Sequence, residues 1–154
     1  MLQHPRLATL EDLAVVEEII RAAYSPYVPR IGRKPGPMLD DYGALIDEGR
    51  IYVVEHDGAV RGIVVLIPHG DSMLLDNVAV APAAQGLGLG RVLLKFAERI
   101  AADRGCRSIK LYTNETMAEN IALYLRIGYR ETHRAEEKGY RRVYMAKPLV
   151  RTTS

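Results

Sequence analysis

A chain of 154 residues with 48% hydrophobic and 26% charged side chains has the length and proportions of one globular domain, 1–154, with a core spanning about 6–149. No apolar run reaches the roughly 20 residues a membrane-spanning helix needs, and a net charge of +2 with dispersed cations excludes the footprint of a nucleic-acid-binding domain. The one cysteine, Cys106, excludes an intrachain disulfide and suits a reducing cytoplasm, and the start Met1-Leu-Gln-His-Pro-Arg has no signal-peptide core.

Taken from the N-terminus, Arg6-Leu-Ala reads as a short strand, and Thr9 with Asp12 three residues on is a capping-box pattern opening a helix to about Tyr24. Ser25 to Pro37 holds Pro26, Pro29, Pro35 and Pro37, two glycines and the cations Arg30, Arg33 and Lys34. It reads as an ordered loop rather than a regular element. Met38 to Glu48 is a second short helix ended by Gly49. Ile51 to Glu55 and Ala59 to Ile67 are β-rich runs around the hairpin signal Asp57-Gly58. After the turn Pro68 to Ser72 comes the strand Met73 to Val80, stopped by Pro82, which has no amide for a ladder.

Leu89, Val92, Leu93, Phe96, Ala97, Ile100 and Ala101 then repeat at helical spacing on one face, with Gly105 as the C′ glycine. Arg107 to Thr113 is a strand that must run parallel to Met73 to Val80, because a helix connects them. Thr116 and Glu119 form a second capping-box pattern for a helix from Met117 to about Ile127, with Gly128 as its cap. Tyr129 to His133 and Arg142 to Lys147 close the chain as a strand pair, with Glu136, Glu137 and Lys138 solvated in the turn before Gly139. The expected fold is single-domain α/β, a mixed sheet in the order β-α-α-β-β-β-α-β-α-β-β.

Between strand and helix lies Gln85-Gly86-Leu87-Gly88-Leu89-Gly90-Arg91. Glycines there let the backbone turn with positive φ and approach a ligand closely. The first-turn amides, the helix dipole and Arg91 add positive character, making a cradle for phosphate. The plainer alternative is a strand-to-helix turn without a ligand, but three alternating glycines cost helix stability. No Gly-Lys-Ser/Thr ending makes this a P-loop. A dinucleotide fingerprint would need a third glycine where Arg91 or Leu93 stands.

Gln85-x-x-Gly88-x-Gly90, preceded by Val78-Ala-Val-x-Pro82, resembles the pyrophosphate loop of the GNAT superfamily of N-acetyltransferases. Asn120-Ile-Ala-Leu-Tyr124-Leu-Arg-Ile-Gly128-Tyr129 resembles a second segment of that family, and the element order matches from about Arg6 to Leu149. The resemblance implies acetyl-coenzyme A as cosubstrate, no metal, and a primary amine, small-molecule or peptide, as acceptor. It implies a strand before the glycine loop that diverges from its parallel neighbour, often at a bulge. Val78, Ala79 and Val80 would then hold the acetyl and pantetheine groups by main-chain bonds, and the amides of Gly86 to Arg91 the pyrophosphate.

By the same resemblance Tyr124 is the general acid for the departing thiolate, the alternative being a phenol packed with Leu123 and Ile127. The asparagine many members carry seven residues earlier is Met117 here, which leaves the pantetheine contact to Asn120 or Asn114. Asp76, expected to share a strand face with Leu74, Val78 and Val80, is the candidate base. A cap or surface role is the alternative, and His69 is a weaker candidate. Tyr24, Tyr27, Arg30 and Arg33 are expected to wall the acceptor site, the arginines favouring an amine that also carries an acidic group. His4, His56 and His133 have no metal-ligand spacing. The rival functions are a catalytically silent acyl-coenzyme A sensor and an acyltransferase using another acyl group. An unpaired last strand would join a homodimer.

Overall fold

The computed structural model describes residues 4–149, so both ends of the expected 1–154 domain, and Met1 to Gln3 of its N-terminal stretch, lie outside the described residues. Seven strands form one sheet in the order β1-β2-β3-β4-β5-β7-β6. They are β1 (Arg6–Leu7), β2 (Ile51–His56), β3 (Ala59–His69), β4 (Ser72–Val80), β5 (Ser108–Asn114), β6 (Arg130–Glu137) and β7 (Tyr140–Pro148). Every neighbouring pair is antiparallel except β4 and β5, which are joined by the crossover helix α4 (Leu89–Asp103).

Helices cover both faces. Against α4, one cluster gathers Val54, Leu66, Met73, Leu75, Leu93, Ala97, Ile109 and Met145. The α4 stripe follows the expected spacing with Leu94 added, and Gly62 lets it lie close: a Cβ there would meet Leu93 Cδ1 and Val54 Cγ1 at 3.0 Å. On the opposite face α1 (Leu13–Tyr24) and α3 (Tyr42–Asp47) bury Val16, Ile19, Ile20 and Ile46 against Ile51, Val53, Ile63 and Val65. Asp12 accepts the Thr9 amide at 2.8 Å, as the first capping pattern predicts. No helix of the described residues is long and apolar enough to cross a membrane.

Five expectations change. Ser25 to Pro37 is not irregular: it forms a 3-10 turn at Ser25–Tyr27 and a one-turn helix α2 (Val28–Ile31), and Gly36–Leu39 makes a further 3-10 turn. Pro26, Pro29 and Pro37 sit in first turns, where a missing amide costs nothing. The second helix accordingly starts later, at Tyr42, because Asp41 caps it by accepting the Ala44 amide at 3.1 Å. Helix α5 (Ala118–Arg126) has no side-chain cap. Asn114 Oδ1 takes the Thr116 amide and hydroxyl, leaving Glu119 to turn outward. Last, β7 is inserted between β5 and β6 and is fully paired, while Glu136 and Glu137 are strand residues rather than turn residues. The edge is β6, whose charged, exposed side chains oppose pairing with another copy.

Tyr129, packed edge-to-face on Tyr124 with ring centroids 5.7 Å apart, is buried, and its hydroxyl has no hydrogen-bond partner among the described residues. A sealed, unpaired hydroxyl carries a desolvation cost and no compensating bond. Tyr129→Phe is therefore expected to raise stability by about 1 kcal/mol, or about 2–4 °C in Tm, read by thermal unfolding.

Candidate active site

Two irregularities in β4 open the site. Parallel pairing with β5 extends only over Ser72–Ser108, Met73–Ile109 and Leu74–Lys110, beyond which the strands part. On the other side Leu66 faces Leu75 while Val65 faces Asn77, so Asp76 is an extra residue, a β-bulge. The side-chain alternation slips by one there. Met73 and Leu75 join the α4 cluster, as do Val78 and Val80 after the bulge, whereas Ala79 joins the α1/α3 cluster. The expected single face for Leu74, Asp76, Val78 and Val80 is corrected by that slip. From the bulge to Val80, β4 keeps its partner β3 but has no strand on the β5 side, which leaves main-chain groups of Val78, Ala79 and Val80 available along that edge.

The cover is pinned to the bulge by a buried polar chain. Tyr24 Oη donates to Asn77 Oδ1 at 2.6 Å and lies 3.3 Å from the Val78 carbonyl oxygen. Asn77 Nδ2 donates to Tyr42 Oη at 2.9 Å, and Tyr42 Oη donates to the Pro37 carbonyl. Beneath it lies a cavity of about 260 Å³ that Tyr24, Asp40, Asp76, Tyr112, Asn120, Tyr124 and Arg142 help to line. That is room for the reacting end of a small molecule.

Asp76 is pushed up to about 6, first by burial and then by the negative charge of Asp40, with Arg142 pulling the other way. Burial also raises Asp40. The two carboxyl groups resist being ionised together, so one holds a proton more readily than an isolated aspartate does. Tyr124 is buried, and its hydroxyl has no hydrogen bond among the described residues, yet it is not a sealed atom, since the ring lines the cavity. Burial pushes its pKa well up, so the phenol keeps its proton across the neutral range. Asn120, one turn before Tyr124, lines the same cavity, while Asn114 has its side-chain oxygen engaged by Thr116.

Of the four residues expected to wall the acceptor side, only Tyr24 reaches the cavity. Arg30 pairs with Glu119 at 2.8 Å, and Tyr27 Oη donates to the same carboxylate at 3.1 Å. Arg33 donates to the Lys138 carbonyl at 3.0 Å and stacks 4.2 Å over the Tyr140 ring. These side chains strap the cover to α5 and to the β6–β7 hairpin. The cations that do line the cavity are Lys138 and Arg142, which sequence reasoning left out together with Asp40, Asn77 and Tyr112, as it did Tyr42, which holds Asn77. Two adjacent polar residues, Asp76-Asn77, interrupting an apolar strand was the one available signal of the bulge.

At the open end of β4 lies the glycine loop. Gly86 and Gly88 have φ of 88° and 81°, and Gly88 is the N-cap of α4. The first bond of the helix is Val92 N to Gly88 O at 3.1 Å, so the amides of Leu89, Gly90 and Arg91 have no helical acceptor. A Cβ on Gly86 or Gly88 would meet no protein atom within 4 Å. The positive φ, not protein packing, calls for glycine there, and the open space around both leaves room for close approach by a ligand. Gln85, Leu87 and Arg91 are exposed around the loop. Free amides, a helix N-terminus and an adjacent guanidinium fit a pyrophosphate.

Residues 13–129 match the model of the acetyltransferase (GNAT) family. The chain belongs to that family of acetyltransferases, and its fold is the GNAT fold. Over 84 residues, 54% of the chain, it is 34% identical to a mycothiol acetyltransferase of Thermomonospora curvata, but it spans only 28% of that protein's length. It is 30% identical over 133 residues to the uncharacterised N-acetyltransferase YjgM of Escherichia coli, covering 80% of each. A PaiA N-acetyltransferase from Thermoplasma acidophilum, solved in complex with coenzyme A, superposes with a TM-score of 0.79 over 96% of this chain and 99% of that one, at 17% identity.

Proposed function

We propose that the chain is an N-acetyltransferase that uses acetyl-coenzyme A and acetylates a primary amine by direct attack in a ternary complex. The observation that carries this reading is one cavity, opened where β4 and β5 part, that is lined by a half-buried carboxyl and by a phenol without a hydrogen bond among the described residues. The cosubstrate supplies an acetyl group already activated as a thioester. The main chain of Val78, Ala79 and Val80 would hold its acetyl and pantetheine portion with Asn120. The amides from Gly86 to Arg91, flanked by Gln85 and Arg91, would hold the pyrophosphate.

An alkylammonium with an ordinary pKa of about 10.4 costs roughly 4.6 kcal/mol to deprotonate at pH 7. Asp76, ionised above about pH 6, takes that proton directly or through water. Tyr124 Oη stays protonated and has no competing acceptor among the described residues, so it holds a proton for the departing thiolate. A silent sensor of acyl-coenzyme A would need the glycine loop but neither of these groups. A carboxyl kept in a place that raises its pKa is costly unless it is used.

Tyr124→Phe tests the reading, since it keeps the ring packed on Tyr129 and removes only the proton. We expect kcat to fall at least about tenfold, with the affinity for acetyl-coenzyme A little changed. Undiminished single-turnover acetyl transfer by this variant would remove the acid role.

A further inference from the structure

Four charged residues line the cavity, and they come from different elements. Asp76 sits at the β4 bulge and Asp40 at the end of the Gly36–Leu39 turn, while Lys138 and Arg142 come from the β6–β7 hairpin. Arg142 is held in place by two rings, its guanidinium carbon lying 4.3 Å from the Tyr112 centroid and 5.8 Å from that of Tyr140. Its side chain is only 15% exposed. A guanidinium cannot shed its proton, so one this secluded must meet an anion.

Its one ion-paired carboxylate among the described residues is a poor match for that need, and Asp76, whose charge it also feels, makes no ion pair with it. Glu137 takes a single N–H, Nη1 at 3.0 Å, also accepts the Tyr144 hydroxyl, and is 49% exposed, where water weakens the pair. The guanidinium also interacts with the Tyr144 hydroxyl, and among the described residues the rest of its fork has no carboxylate partner. Lys138 makes no ion pair among them, although its carbonyl is tied down by Arg33, which anchors the hairpin tip. Arg30 and Arg33 of the proline-rich segment are by contrast already engaged.

We propose that Arg142, assisted by Lys138, is the anion-recognising end of the acceptor site, and that the acceptor is an amine that also carries an acidic group, an amino acid being the simplest case. The assignment rests on the cavity being the acceptor site. The amine lies toward Asp76 and the acid toward the Arg142 fork, which suits bidentate carboxylate recognition. A polyamine would bring a second ammonium against Lys138 and Arg142. An amine without an acid would leave the guanidinium desolvated with nothing gained. Because Tyr112 and Arg142 also wall the neighbouring groove over β5, β7 and β6, the remainder of a larger acceptor has room past the guanidinium.

The test compares the twenty protein amino acids with their carboxamides, and with spermidine, in acetyl-coenzyme A turnover by the unmodified protein, Arg142→Gln, Arg142→Lys and Lys138→Gln. In parallel, calorimetry measures binding of the N-acetylated amino acids and their carboxamides in the presence of coenzyme A. We expect the best amino acid to exceed its carboxamide at least about tenfold in kcat/KM, mainly through KM, and this ratio to collapse toward one in Arg142→Gln. Arg142→Lys should retain part of it, and Lys138→Gln should lose less. Acetylation that ignores the acid group, a preference for spermidine, or an Arg142→Gln loss equal for acid and amide would overturn the proposal while leaving the N-acetyltransferase reading intact. Acid-selective binding that depends on Arg142, with no acetyl transfer to any amine, would keep this assignment and remove that reading. Neither transfer nor acid-selective binding would overturn both.

Discussion

Asp76→Asn is expected to lower kcat/KM by about 10²-fold or more at pH 7 while making the folded protein more stable. Both effects come from the same burial. As a base, the carboxylate must accept a proton from the incoming ammonium, and asparagine has none of that capacity. In the unmodified enzyme kcat/KM should rise as pH passes about 6, where Asp76 ionises, and that limb should vanish in the variant. For stability, a carboxyl whose folded pKa is raised contributes fully below its unfolded value, and that contribution is lost as pH rises through the folded one. The unmodified protein therefore loses stability relative to Asp76→Asn between about pH 4 and pH 6, and at pH 7 the variant should be ahead by on the order of 1–2 kcal/mol. Thermal unfolding at pH 4 and pH 7 measures the gap. Activity within about threefold of the parent, or a gap that does not open with pH, would contradict the assignment.

Gly88→Val should abolish the stabilisation of the fold by acetyl-coenzyme A, a loss of at least about 100-fold in affinity, or about 2.7 kcal/mol. At Gly88, φ of 81° is costly for a β-branched residue, so a lowered Tm of the free protein is expected as well. The branch itself would stand where no protein atom lies within 4 Å, in the space a pyrophosphate needs in order to reach the amides of α4. Gly49→Val separates the two effects. Gly49 has φ of 71° and equally open surroundings, but it follows α3, away from the loop. That variant should lose similar stability and keep the full Tm rise with acetyl-coenzyme A. Equal responses to the coenzyme in both variants would show that the cradle lies elsewhere.

The parts of the site legible in the sequence are those made by local rules. Pro82 stops a strand, alternating glycines cannot continue it, and an apolar stripe from Leu89 begins a helix, so the cradle follows from neighbouring residues. Asp57-Gly58 likewise announces its hairpin, and both residues have positive φ, at 54° and 77°. What escaped depends on distant chain segments meeting. Asp40 looks like a solvated residue until the Gly36–Leu39 turn brings it beside Asp76, and Arg142 enters the cavity only because β7 inserts next to β5. Arg30 and Arg33 illustrate the reverse error. Clustered cations suggest an anion site, but these two meet Glu119 and the Lys138 carbonyl, partners 89 and 105 positions away. Charge clustering in sequence records neither partner nor burial, and both decide whether a cation is available to a ligand.

The central claim is acetyl transfer to a primary amine, and initial-rate kinetics of the whole chain test it most directly. Acetyl-coenzyme A is varied against primary amines drawn from amino acids, peptides and polyamines, with thiol release recorded alongside the N-acetyl product by mass spectrometry. The account predicts one thiol released for each N-acetyl group formed, and intersecting double-reciprocal lines, as a ternary complex requires. A protein that is stabilised by acetyl-coenzyme A yet acetylates no amine, or one that gives parallel lines and an isolable acetylated enzyme, would contradict it.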